Sequence, residues 1–131
     1  MRRAAIDTHA LVWHLSRPKK LGTRARRWLR ECDSGRAETL IPAAVPIELA
    51  LLRDAGRRVV GPAEIEALVS RTSSFRVLPL DLSQAREFVL SGGIPELFDR
   101  LMVAAARSLG VPLITADPVI TDSGLVEIVW D

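Results

Sequence analysis

The chain has 131 residues, 48% of them hydrophobic and 26% charged, which suits one domain over residues 1–131 with a sizeable core and leaves little room for a second. No apolar stretch approaches the roughly 20 residues that cross a bilayer, and the run after Arg2 and Arg3 is too short for a signal peptide; the lone Cys32 excludes an internal disulfide, so a cytoplasmic protein with no membrane partner is expected. A net charge of +2 excludes a nucleic-acid binder that is basic throughout, yet Arg17, Lys19, Lys20, Arg24, Arg26, Arg27 and Arg30 crowd one segment and Arg53, Arg57 and Arg58 another.

Arg3 to Ile6 reads as a first strand that delivers Asp7 to its C-terminal end. Asp7 or Thr8 caps a helix through Ala10, Leu11, Val12 and Leu15, which Pro18 stops. A basic helix from about Thr23 to Glu31 turns Ala25, Trp28 and Leu29 inward. Thr39 to Ile41 is a second strand ended by Pro42. Pro46 stands at or near the first position of the next helix, where its missing N–H costs nothing; Glu48 is the lone early acid there and Gly56 the terminator. Another helix starts at Gly61-Pro62 and continues to about Ser70. Phe75 to Leu80 is a third strand, and Pro79 marks an edge position or a strand end. Asp81-Leu82-Ser83-Gln84 has the form of a capping box and opens a helix through Leu90. After a loop from Ser91 to Pro95, a long apolar helix runs from about Leu97 to Leu109, stopped by Gly110 with Pro112 beyond. Val111 to Thr115 and Val126 to Val129 are the fourth and fifth strands. Strands alternating with helices predict an α/β fold with a parallel sheet covered on both faces.

Asp7 and Asp117 end strands, while Glu48 and Asp99 lie in first helical turns. In a parallel sheet these positions share one edge, where such folds place ligands. For one pair the distances agree: from Asp99 to Leu109 a helix climbs about 15 Å, and from Leu113 to Asp117 a strand returns about 13 Å. Each acid alone has an ordinary reading as a cap, a partner of the helix dipole or a turn residue. Together they repel one another unless a cation sits between them. Oxygen ligands select Mg²⁺ or Mn²⁺, ions that activate water and neutralise a phosphoryl group. Basic segments around such a centre suit a polyanion held by its phosphates. Thr121, Asp122 and Ser123 are placed to line the site without being primary ligands. His9 and His14, five apart on different helix faces, are read as non-ligands. There is no Walker motif, GxGxxG, HExxH or cysteine pair. Position 9 is His, so the DxD of an aspartyl phosphatase is absent too.

At these residues the chain resembles the PIN-domain ribonucleases, in particular the VapC-type toxins of prokaryotic toxin–antitoxin pairs. The resemblance starts at Ala5-Ile6-Asp7-Thr8-His9-Ala10-Leu11-Val12-Trp13 and continues through Ile41 to Ala50, Ile94 to Ala106, and Val111 to Asp117. It ends at Gly124 to Trp130. It implies a three-layer α/β/α sandwich with about five parallel strands, and Mg²⁺- or Mn²⁺-dependent cleavage of single-stranded RNA. It also implies a homodimer and a cognate antitoxin that obstructs the acidic pocket. Asp7, Glu48, Asp99 and Asp117 match the family's acidic quartet and Thr115 its adjacent threonine; Thr8 and Asp122 are expected beside them. Arg17, Lys19, Lys20, Arg24 and Arg100 are the cations expected to hold RNA phosphates. Phe98 stands where close relatives often have His, and Pro46 replaces a larger apolar residue; both flank the acids rather than replace them. A housekeeping RNA-processing nuclease and a non-catalytic RNA- or protein-binding module are the alternatives.

Overall fold

The computed structural model describes residues 2–131. Strand β1 (Arg2–Ile6) ends in Ala4, Ala5 and Ile6, all fully buried. Successive strand residues point to opposite faces, so three buried in a row require cover on both sides. Helix α1 (Thr8–Ser16) begins one residue later, because Asp7 takes extended backbone and its carboxylate accepts the Ala10 N–H. A short 3-10 turn (Pro18–Lys20) leads to α2 (Thr23–Asp33), which buries Ala25, Trp28, Leu29 and Cys32 and keeps its arginines outside. β2 (Ala37–Pro42), α3 (Ala44–Asp54), α4 (Pro62–Arg71), β3 (Phe75–Leu78) and α5 (Leu82–Leu90) follow. The last elements are α6 (Leu97–Leu109), β4 (Leu113–Ile114), α7 (Pro118–Ser123) and β5 (Ile128–Val129).

All strand pairs are parallel, in the order β3-β2-β1-β4-β5. The expected α/β/α sandwich with a five-stranded parallel sheet is therefore borne out. α2 packs on β2 and α6 on β1, over a core that includes Ile6, Leu11, Leu29, Ile41, Leu49, Phe75, Met102 and Ile114.

Several boundaries differ from the sequence reading. α3 opens at Ala44, so Pro46 is its third residue; that is still the first turn, where no intrahelical N–H is missed. The fourth and fifth strands pair only over Leu113–Ile114 and Ile128–Val129. β3 stops at Leu78, just before Pro79, and lies at the sheet edge as that proline implied. Asp81 caps α5 by accepting the Gln84 N–H at 3.0 Å, but the Gln84 amide donates to Pro79 O at 2.6 Å, so only half of the capping box forms. α7 was not anticipated. At the end of α6, Gly110 takes φ 63°, a left-handed conformation, and the Val111 N–H closes on Ala106 O at 3.1 Å.

Candidate active site

Parallel pairing puts the C-terminal ends of the strands on one edge, and the acids hang from it. Asp7 leaves β1 and Thr115 leaves the adjacent β4; the Asp7 N–H donates to Ile114 O at 3.1 Å, which ties the two strand ends together. The Thr115 hydroxyl donates to Asp7 Oδ2 and accepts the Asp117 N–H at 3.0 Å. Asp117 Oδ1 in turn accepts the Ile120 N–H at 3.0 Å and caps α7. Asp7 is thus 6% exposed, with Oδ1 held by Ala10 at 2.9 Å and Oδ2 by Thr115.

Asp99 is the third residue of α6, and its N–H donates to Glu96, the residue that caps the helix, at 2.6 Å. Glu48 projects from α3 beside the buried Leu49 and has no hydrogen-bond or ion-pair partner among the described residues. Asp7, Glu48, Glu96, Asp99 and Asp117 line one cavity of about 450 Å³ together with His9 and Trp13, and no lysine or arginine lines it.

The charges in this cleft act on one another. Burial pushes the Asp99 carboxyl up to about 7, and the carboxylates of Asp117, Glu96, Asp7 and Glu48 push it the same way. Burial raises Asp7 to about 6, against the pull of its hydrogen bonds from Thr115 and Ala10 and of His9; Asp117 adds to the rise. Such an oxygen-rich, negatively charged donor set fits a hard divalent cation in chemistry. Among the described residues, no three Asp, Glu, His or Cys side chains stand close enough to enclose an ion, so the acids ring the cleft rather than meet at a point.

Residues 4–122 match the model of the PIN domain. The chain belongs to the PIN-domain family. Among curated proteins, none is similar enough in sequence to count as a match. Solved structures share the fold at low identity. VapBC2 from Rickettsia felis, bound to a DNA fragment from its promoter, superposes with a TM-score of 0.71 at 13% identity, covering 98% of this chain and 99% of that one. A toxin–antitoxin complex from Klebsiella pneumoniae gives 0.61 at 16%, covering 96% and 95%. FitAcB from Neisseria gonorrhoeae gives 0.59 at 18%, covering 96% of each chain.

The other expected site residues of this PIN domain are distributed around the cleft rather than in it. Thr8 is buried beside Asp7, its hydroxyl without a partner among the described residues, and lines the adjoining cavity with Arg17. Arg24, Thr121 and Asp122 line a third cavity on the Asp117 side, where Thr115 and Ala116 form part of the wall. Ser123 is occupied in donating to Ile120 O at 2.6 Å. Lys20 Nζ lies 5.4 Å from the Trp13 ring centroid, and Lys19 is exposed. Arg100 is not brought to the cleft: it stacks on Phe88 at 3.9 Å and donates to Phe88 O at 2.9 Å, which ties α6 to α5. The sequence reading missed Glu96, His9 and Trp13 as cleft residues. Glu96 was legible as an acid just after Pro95 and three residues before Asp99, the spacing of a helix cap. No helix among the described residues is long and apolar enough to cross a membrane.

Proposed function

We propose that the protein is a Mg²⁺- or Mn²⁺-dependent endoribonuclease that cleaves single-stranded or loop RNA and serves as the toxin of a toxin–antitoxin pair. The observation that carries this reading is the cleft itself, with five carboxylates and no lysine or arginine to answer them. Membership of the PIN family and the fold shared with toxin–antitoxin complexes support it. Asp7, Asp99 and Asp117 would hold the cation directly or through water. When bound, the ion would neutralise charge on the scissile phosphate and acidify the attacking water. Glu48, free of other partners, would orient that water and take its proton. Thr115 bridges the Asp7 carboxylate and the Asp117 backbone, which links the acid after β1 to the one that caps α7. Basic side chains near the cleft would hold RNA phosphates without reading sequence. A cognate antitoxin and a second copy of this chain are the protein partners this reading implies, in the cytoplasm.

The test is cleavage of single-stranded RNA with Mn²⁺. Asp99→Asn is expected to lose it while keeping its circular dichroism spectrum, and undiminished cleavage by that variant would sink the assignment. A non-catalytic module, the reading that an acid ring without a closed ligand set favours, predicts instead that Mn²⁺ leaves Tm unchanged. Growth arrest on expression, relieved by Asp7→Asn, separates a toxin from a housekeeping nuclease.

A further inference from the structure

A second cavity, of about 400 Å³, lies beside the acidic cleft between α1, α3 and the segment 57–60 that leads into α4. His9 and Trp13 line both cavities and form their common wall. Their chemistry is otherwise opposite. Arg17, Arg57 and Arg58 line the second cavity and no acid does. All three arginines are exposed, and none of their guanidinium groups has a hydrogen-bond or ion-pair partner among the described residues. The neighbouring Arg53, by contrast, is paired with Glu64 at 3.7 Å. Between the cations the wall is mostly aliphatic, built from Val12, Leu49, Leu52, Val59 and Val60, with Thr8 and Ser16 beside them. Trp13 is half-buried, with His9 6.1 Å and Trp130 5.8 Å from its ring centre and Lys20 at its face.

We infer that this cavity holds the nucleotide adjoining the scissile phosphodiester, with backbone phosphates on Arg17, Arg57 and Arg58 and a base against Trp13 and the apolar wall. The inference rests on the nuclease reading above and names how that site takes its substrate. Unpaired cations beside an aromatic and apolar surface are what single-stranded nucleic acid requires, since phosphates need charge and unstacked bases need a flat hydrophobic partner. An inorganic anion leaves the apolar wall unused, and duplex RNA keeps its bases stacked away from it. A strand seated here carries its next phosphodiester past His9 and Trp13 into the carboxylate cleft. The arginines also offset the repulsion that five carboxylates exert on an incoming phosphate. Neither phosphate contact nor stacking reads sequence strongly, so the cavity sets where the strand lies rather than which strand it is.

The experiment uses a fluorescent pool of short single-stranded RNAs of randomised sequence, bound to the full chain carrying Asp99→Asn so that no cleavage intervenes. Arg57→Ala with Arg58→Ala lies on an exposed segment and is expected to flatten the dependence of log affinity on log salt by about 1.4, two phosphate contacts at about 0.7 each. Trp13→Leu is expected to weaken binding roughly tenfold at fixed salt, and Trp13→Phe to retain most of the affinity. Cleavage by the otherwise unaltered chain, measured in parallel with Mn²⁺, keeps the two readings apart. RNA binding that depends on these residues, with no cleavage, removes the nuclease reading and leaves an RNA-binding cavity. Cleavage with unchanged affinity and salt slope in the arginine and tryptophan variants overturns the cavity assignment. Failure of the pool to bind at all, whether or not a polyglutamate peptide binds instead, overturns it as well.

Discussion

The acids on the surface and the acids in the cleft are handled in opposite ways. Outside, arginines answer glutamates: Arg2 meets Glu31 at 2.6 Å, Arg76 meets Glu38 at 3.1 Å, Arg107 meets Glu87 at 3.0 Å and Arg53 meets Glu64 at 3.7 Å. Inside the cleft, five carboxylates face one another with no lysine or arginine on the wall. With 18 basic residues against 16 acidic ones, the chain has cations to spare. Three of them, Arg17, Arg57 and Arg58, stand unpaired among the described residues in the next cavity. The negative charge of the cleft is therefore a matter of placement, and burial, with the neighbouring carboxylates, pushes the Asp7 and Asp99 carboxyls up.

The variant that tests this contrast most severely is Asp7→Asn. Asparagine keeps an acceptor for the Ala10 N–H and can donate to Thr115, but removes a charge that the fold disfavours. At pH 8 with EDTA the variant is expected to be more stable than the parent by about 1–3 kcal/mol, following from a carboxyl raised to about 6, and read as a higher urea midpoint. A lower midpoint would mean that the cleft charges are already balanced.

The pH dependence sharpens the same point. The folded chain holds the Asp7 and Asp99 protons more tightly than the unfolded chain does. The stability linked to these protons is fully present below about pH 3.8, the unfolded value, and is lost as pH rises through about 6 for Asp7 and about 7 for Asp99. The difference in stability between Asp7→Asn and the parent should therefore grow from acid to neutral pH, and saturating Mn²⁺ should reduce it. A difference flat across that range would contradict the burial of Asp7. A finer test is Glu96→Gln, which removes one of the charges raising Asp99. The Asp99 carboxyl should then titrate at lower pH, followed by carbon-13 NMR. The smallest effect belongs to the surface: Arg76→Ala breaks a pair whose arginine is 58% exposed, and should change stability by less than about 1 kcal/mol. A larger loss there would erase the distinction between the two regions.

The sheet and the edge it presents were readable because apolar runs with clear stops, such as Ala4-Ala5-Ile6 before Asp7 and Ala104-Ala105-Ala106 ahead of Gly110, mark buried elements and their ends. The ends of β4 and β5 were not readable. Apolarity reports burial rather than pairing, and Thr115 is fully buried without belonging to a strand. α7 has six residues, too few for helical periodicity to register, although Asp117-Pro118 and Gly124 bracket it as start and stop. Arg100 neighbours Asp99 in sequence but does not share its direction. One helical step turns a side chain by about 100°, which carries Arg100 onto Phe88 of α5. Glu96 is hard to read because it falls between the loop ending at Pro95 and the helix opening at Leu97, and its capping role shows only in its bond from the Asp99 N–H. The unpaired state of Arg57 and Arg58 lies beyond sequence altogether, since Glu64 and Glu66 are near enough in the chain to be their partners and only the three-dimensional fold gives Glu64 to Arg53.

The strand order also governs when the cleft can exist. β1 is made first and sits in the middle of the sheet, yet its neighbour β4 comes from far later in the chain, and the bond from Thr115 to Asp7 spans 108 positions. During synthesis Asp7 and Glu48 emerge early onto a half-built sheet that lacks Asp99 and Asp117. Closure of such a distant contact waits on the loop between them and comes late in folding. Until β4 docks beside β1, Asp7 lacks its Thr115 partner and the carboxylate ring is incomplete. The site is withheld by topology until residues through 117 are free to dock.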